Sequence, residues 1–274
     1  MDENSPRPVQ VNIPVTAFQA LLIFAVGLLL IVWWMNTPPG LLGKADAAGY
    51  AVCHRISERS FMIGDRQMPL CARCSGMFLG ALIGTVYYLR RSGRRAGMPP
   101  LSISILLGAF LVLFAVDGGN SYLHFFPGFI GLYEPNNTMR LITGTGVGLG
   151  IASILVPVVN QTYWRSYDNR PVLERFGQFI PLLVVAGLVD LAVLSEIPLL
   201  LYPLALLSAG GILLVLSLVY SLVWILLSKQ ENRFDRPREL WVMLLVGFFT
   251  ALLQIAVIDA GRFWLTGTWG GFNF

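Results

Sequence analysis

FIPLLVVAGLVDLAVLSEIPLLLYPLALLSAGGILLVLSLVYSLVWILL, running from Phe179 to Leu227, is the stretch on which the fold turns. Its only charged residues are Asp190 and Glu196. As one helix rising 1.5 Å per residue it would far exceed any bilayer, whose core needs roughly 20 apolar helical residues. The polar Ser195-Glu196-Ile197-Pro198 segment is the natural place for reversal, so the stretch predicts two spans, Phe179–Ile197 and Leu201–Leu227.

Working outward, five more runs meet or approach that length: Ala17–Met35, Cys71–Leu89, Leu101–Val116, Leu141–Val159 and Leu240–Ile258. The expected fold is an all-α polytopic transmembrane bundle of about seven spans. Composition agrees. Of 274 residues, 55% are hydrophobic and 12% charged, half the charge density of about 25% found in soluble domains. Water-compatible groups cannot cover a globular surface at that density, which excludes a soluble domain.

The net charge of +4 resides in short basic blocks beside apolar runs, which reads as membrane topology and not as nucleic-acid binding. Arg90, Arg91, Arg94 and Arg95 follow the second span. Arg165, Arg170 and Arg175 follow the fourth, and Lys229, Arg233, Arg236 and Arg238 the sixth. Strict alternation puts all three blocks on one side, so the N-terminus is expected inside and the C-terminus outside. The organisation is then a polar cytoplasmic tail (1–16), a first anchor (17–35), an extracytoplasmic loop (36–74), a six-helix core (75–262) and an outer tail (263–274). Ala45-Asp46-Ala47 resembles a cleavage site but lies beyond the first run, which is read as a retained anchor.

One loop resists the rule. Residues 37–70 fall outside yet carry Lys44, Arg55, Arg59 and Arg66, with Arg73 just beyond. Either a partly folded loop crosses despite its charge, or the arginines are held there for a purpose.

Inside the bundle, lipid supplies no hydrophobic drive between helices, so close contacts need small residues. Gly76, Gly80 and Gly84 recur every four residues on the second span. Gly144 and Gly148 do so on the fourth, with Gly146 and Gly150 beside them. These two spans are expected to form the packed centre, the alternative being room for a ligand or lipid.

All three cysteines fall in one segment. It reads Cys53-His54-Arg55-Ile56-Ser57-Glu58-Arg59-Ser60-Phe61, then Pro69-Leu70-Cys71-Ala72-Arg73-Cys74-Ser75-Gly76. The pattern C-H-R-I-x-E-R-S-F followed by P-L-C-A-R-C-x-G resembles a family of prokaryotic multi-pass membrane proteins catalogued as a domain of unknown function. The likeness extends to Asp117-Gly118, Asn136-Asn137-Thr138-Met139-Arg140 and Thr143-Gly144, so it covers roughly residues 50–150. It implies membrane topology and the position of a site, and carries no reaction.

Three chemistries suit the cysteines. Cys71-x-x-Cys74 at a helix start, beside Arg73, favours thiolate and hence redox work, with Cys53 as resolving partner. Cys53, His54, Cys71 and Cys74 could instead hold zinc or another thiolate-binding metal. The third reading is a structural clip without cofactor. His124, in the aromatic loop Tyr122–Phe126, is expected at the interface.

Alternation also brings Asp117, Arg140, Glu196, Asp259 and Arg262 to the cysteine side, with Asp190 within the fifth span. In the functional reading Arg55, Arg59, Arg66 and Arg140 cradle an anionic headgroup or phosphate. Glu58 and Asp117 join Cys71 and Cys74 as catalytic candidates, with Asp190, Asp259 and Arg262 in support. The bland reading makes Asp117–Arg140 and Asp259–Arg262 simple ion pairs closing helix ends. No Ser-His-Asp set, P-loop or dinucleotide fingerprint occurs. The expected partners are the bilayer and a lipid or quinone ligand. The competing function is a non-catalytic transport or assembly subunit, although Asp190 and Gln254 leave little polar pathway for a charged solute.

Overall fold

The computed structural model describes residues 17–126, 128 and 130–271. The polar tail expected at 1–16 and the last three residues of the outer tail lie outside these. Among the described residues there are eight α-helices: α1 (Ala17–Asn36), α2 (Gly40–Val52), α3 (Ala72–Ser92), α4 (Leu101–Leu123), α5 (Asn137–Tyr163), α6 (Ile180–Leu194), α7 (Pro198–Leu227) and α8 (Trp241–Thr266). Two-residue strands β1 (Met62–Ile63) and β2 (Arg66–Gln67) pair antiparallel. Strands β3 (Arg95–Gly97) and β4 (Asp168–Pro171) pair in parallel.

Six helices are long and apolar enough to cross a membrane. They correspond to α1, α4, α5, α6, α7 and α8. The Phe179–Leu227 run does reverse at Ser195–Ile197, where Glu196 takes a left-handed backbone with φ of 50°. The remaining expected span, α3, has 21 residues but carries Arg73, Arg90 and Arg91. Arg73 at its start pairs with Asp117, Arg90 and Arg91 are exposed in its last turn, and much of its length between them is buried against neighbours. In contrast, only Leu22 and Val26 of α1 are buried, and its outward leucines and phenylalanines face where lipid would lie.

The centre is the α3–α5 pair, as the glycine pattern predicts. A Cβ on Gly76 would meet the Leu141 carbonyl and sit 2.8 Å from the Thr145 nitrogen, and one on Gly80 would lie 2.5 Å from the Thr145 oxygen. From the other side, Gly144 abuts the Arg73 carbonyl and Gly148 the Met77 carbonyl. Backbone touches backbone along several turns, which dispersion and small-residue packing can stabilise without hydrophobic drive. Gly146 faces Phe110 of α4, whereas Gly150 has open space.

The segment expected as a loop, 36–74, departs from that reading. Its first part is the helix α2, whose residues Gly43 to Tyr50 are all buried. Three glycines and two charges hide it from periodicity, and tertiary packing makes it: Gly43 rests on the Pro38 carbonyl and Gly49 on the Pro69 carbonyl. Lys44 turns its ammonium back to the end of α1, bonding the carbonyls of Trp34 and Thr37. That satisfies acceptors a helix end otherwise leaves unpaired.

Connections gather at two ends. At one, Asn160 of α5 donates to the carbonyls of Gly93 and Arg95 (3.1 and 2.7 Å), and Arg165 pairs with Asp235 at 2.8 Å. This end holds the three basic blocks. The other is built from residues 53–71, the α4–α5 connection, the Glu196 turn and residues 267–271. Met62 N–H reaches Glu196 at 3.5 Å, Asn137 the Glu58 carbonyl at 3.3 Å, and Tyr50 hydroxyl the Thr268 carbonyl at 2.8 Å. A 27-residue α5 separates the two ends by about 40 Å.

Replacing Gly148 by Ala forces a methyl against the Met77 carbonyl and should cost about 1–3 kcal/mol, read as a lower thermal midpoint in detergent. Gly150→Ala should leave the midpoint unchanged or slightly raised. Equal behaviour of the two variants contradicts the packed centre.

Candidate functional site

Cys53 ends α2, Cys71 precedes α3 and Cys74 lies on its first turn. Leu70 and Cys71 are buried beside Cys53 in one cluster with Phe78 and Ile212, so apolar packing fixes the loop ends and brings the sulfurs together. All three Sγ atoms lie within 4.8 Å of one another, and none is in a disulfide. The backbone N–H groups of Cys71 and Arg55 point at the Cys53 sulfur, at 3.3 and 3.4 Å. Arg55 adopts a left-handed backbone, φ 53°, to do so.

The Cys53 thiol is pulled far below its usual range. Hydrogen bonds from Cys71 and Cys74 are the main causes; burial opposes them, and the two backbone donors assist. Cys53 is thus the readiest thiolate of the three. His54 does not join the triad: neither imidazole nitrogen falls within the group of mutually close ligand atoms. Its Nδ1 accepts from Ile56 N–H at 3.1 Å. Burial, followed by the opposing charge of Cys53 and then the charges of Arg59, Arg73 and Arg140, leaves its pKa below the usual value.

The arginines divide into two sets. Arg55 and Arg66 both bind Asp46, at 2.9 and 2.5 Å, and Arg55 also donates to the Trp269 carbonyl at 3.0 Å. Asp46, in the middle of the sequence that resembled a cleavage site, is therefore a counter-ion inside α2. Two of the four arginines expected to cradle an anion are committed to it.

The second set converges on Ser121, near the end of α4. Arg59 donates to its carbonyl at 3.0 Å, while Arg73 and Arg140 reach its hydroxyl at 3.4 and 3.5 Å. Asp117, one turn earlier, pairs with Arg73 and accepts from Tyr133 hydroxyl at 2.7 Å. The ion pair from Asp117 thus goes to Arg73, and Arg140 turns instead to Asn137 at 2.9 Å. Three guanidiniums against one close carboxylate leave an excess of positive charge. Arg73 Nε and Arg140 Nε are buried with no hydrogen-bond partner, a costly state that an incoming anion would relieve. Burial, then the Arg73 charge, lowers the Arg59 pKa.

The other named residues are spread more widely. Glu58 is exposed on a short 3-10 turn. Asp190 lies on α6 and accepts from the Thr145 hydroxyl at 2.7 Å. Asp259 accepts from the Trp33 indole at 3.0 Å. Arg262, one turn on, directs its N–H groups to the carbonyls of Tyr50, Cys53 and His54 and lies over the Tyr50 ring, 3.9 Å from its centre. It fastens α8 to the cysteine loop. His124 bonds the Asn120 carbonyl at 2.7 Å.

Ser121, Tyr133 and Asp46 escaped the sequence reading as site residues, and Arg73 was read as a charge near the thiols and beside the unexpected basic loop, without its pairing to Asp117. One signal was present for Ser121: Asp117, Asn120, Ser121 and His124 form a polar stripe at helical spacing beyond the expected end of the third span.

The family model described as "Predicted membrane protein (DUF2085)" matches residues 53–154. That interval contains the sulfur triad, the Ser121 arginines and both glycine faces, and excludes Asp259 and Arg262. An uncharacterized protein of Methanocaldococcus jannaschii is 28% identical over 116 residues, 42% of this chain and 69% of the relative. Another, from Methanothermobacter thermautotrophicus, is 31% identical over 104 residues, 37% of this chain and 81% of the relative. No solved structure matches the chain. With its cysteine segment and central helices aligned to that model and to most of the second relative, the chain belongs to the DUF2085 family of predicted membrane proteins.

Proposed function

We propose that this membrane protein holds a soft divalent metal, zinc foremost, on Cys53, Cys71 and Cys74 at the extracytoplasmic side, beside an arginine pocket for an anionic headgroup. The observation that carries the reading is the meeting of three sulfurs within 4.8 Å. A structural clip needs two; a thiolate metal site uses three or four. Around zinc, with Zn–S of about 2.3 Å, tetrahedral sulfurs sit about 3.8 Å apart. The triad therefore has to close by roughly an ångström at most. His54 stays out, which leaves the fourth position to water or substrate, as in open zinc sites. Three thiolates and a divalent ion sum to a single negative charge, and the Arg55 guanidinium, although bound to Asp46, is near enough to Cys53 to offset part of it.

The orientation rests on the three basic blocks at the opposite end. The cations at the cysteine end have local roles instead: Lys44 closes the end of α1, Arg55 and Arg66 share Asp46, and Arg73 pairs with Asp117. Beside the triad, Arg59, Arg73 and Arg140 offer forked donors at one place, suited to a phosphate. A bilayer presents that group as a lipid headgroup.

Protein purified in detergent should carry about one zinc per chain and few titratable thiols. Cys53→Ser, Cys71→Ser or Cys74→Ser should each release the metal. After chelation in intact cells, the thiols should react with a membrane-impermeant maleimide. A metal-free protein with three free thiols contradicts the metal reading, and labelling only after lysis contradicts the orientation. Arg140→Gln should weaken retention of an anionic phospholipid about tenfold by native mass spectrometry. Unchanged retention removes the anion pocket.

A further inference from the structure

A cavity of about 730 Å³ lies between α1 and α8 near the cysteine end. Its walls are mostly apolar and aromatic, among them Val32 and Trp33 of α1, Phe263 and Trp264 of α8, and Trp269 beyond it. One charged group lines it. Asp259 is 2% exposed; its Oδ2 accepts from the Trp33 indole, and its Oδ1 is buried with no hydrogen-bond partner. A carboxylate oxygen without a partner at membrane depth is expensive and marks a functional position. Arg262, the nearest charge along α8, points its guanidinium N–H groups at the backbone carbonyls of residues 50, 53 and 54.

We propose that this cavity binds the ammonium head of an amine-headed lipid, with Asp259 as its counter-ion. A primary ammonium supplies the hydrogen bond that Oδ1 lacks. The tryptophan and phenylalanine side chains that line the cavity are of the kind that attract a cation, most strongly where water is excluded. The occupant arrives from the side. Only Leu22 and Val26 of α1 are buried, and Val32 and Trp264 are 49% and 83% exposed, so the cavity opens toward lipid. A tail can therefore remain in the bilayer while the head is held. The position suits a headgroup as well, because Trp33 and Asn36 lie in the last turn of α1 and Asp259 to Thr266 in the last turns of α8.

Trp269 also ties the cavity to the cysteine loop. Its carbonyl accepts from Arg55, and its ring packs 5.2 Å from both Tyr50 and Phe263. The lipid site nonetheless stands apart from the metal reading, and neither depends on the other.

The test uses the full chain in detergent, offered an equimolar mixture of ethanolamine- and choline-headed phospholipids, both zwitterionic, with identical acyl chains. Native mass spectrometry should find the ethanolamine lipid enriched about tenfold on the protein. Choline carries the same charge but no N–H, so its exclusion reports the hydrogen bond to Asp259. Asp259→Asn should abolish the enrichment, and Asp65→Asn at the exposed hairpin tip should keep it. Equal retention of the two headgroups by the wild-type protein overturns the proposal, as does undiminished selection in a folded Asp259→Asn variant. If Asp259→Asn does not fold, the wild-type protein decides with N-methyl- and N,N-dimethylethanolamine lipids: retention should fall as N–H groups are lost, and a flat series overturns the proposal.

Discussion

The backbone contact between α3 and α5 sets the position of everything else. Gly76 and Gly80 on one helix and Gly144 and Gly148 on the other leave no room for side chains between them. The two axes therefore come close, and their N-terminal ends share one level. Cys71, Arg73 and Cys74 open α3, while Arg140 opens α5. Phe110 of α4 then leans on Gly146, which brings the far end of α4, with Asp117 and Ser121, to the same level. A bilayer gives helices no hydrophobic reason to associate. Small residues at helical spacing supply the reason and the register together.

Around that frame the cysteine end balances its charges locally. Asp46 is shared by two arginines and Asp117 pairs with one, and Arg262 and Lys44 bind helix and loop carbonyls. The remaining excess falls around Ser121, where three guanidiniums meet. The sulfur triad lies between these groups, with backbone N–H donors aimed at Cys53. Negative charge is thus favoured at the sulfurs and beside Ser121. The proposed metal thiolate complex and anionic headgroup would meet those two demands, each at its own place.

Much of the fold was legible because membrane spans are written in composition and length, which no tertiary contact has to supply. Phe179–Leu227 showed its reversal through Glu196, and the glycine repeats showed the central pair. What was not legible depends on partners. The helix α2 is short, carries Gly40, Gly43 and Gly49, and forms because Pro38 and Pro69 carbonyls accept its glycine faces. Asp46 resembled part of a processing signal because its two arginines lie 9 and 20 residues away along the chain. The clustering of the cysteines along the chain matches the meeting of their sulfurs in space, whereas His54, adjacent to Cys53, turns its ring to Ile56. Nothing in spacing says which arginine takes Asp117. That choice between Arg73 and Arg140 belongs to the α3–α4–α5 geometry.

X-ray absorption at the zinc edge tests the sulfur triad most directly. Zinc-loaded protein should give three sulfur neighbours at about 2.3 Å and one nitrogen or oxygen neighbour at about 2.0–2.2 Å. A shell made only of nitrogen and oxygen, or a protein that takes up no zinc while its three thiols are reduced, contradicts the account.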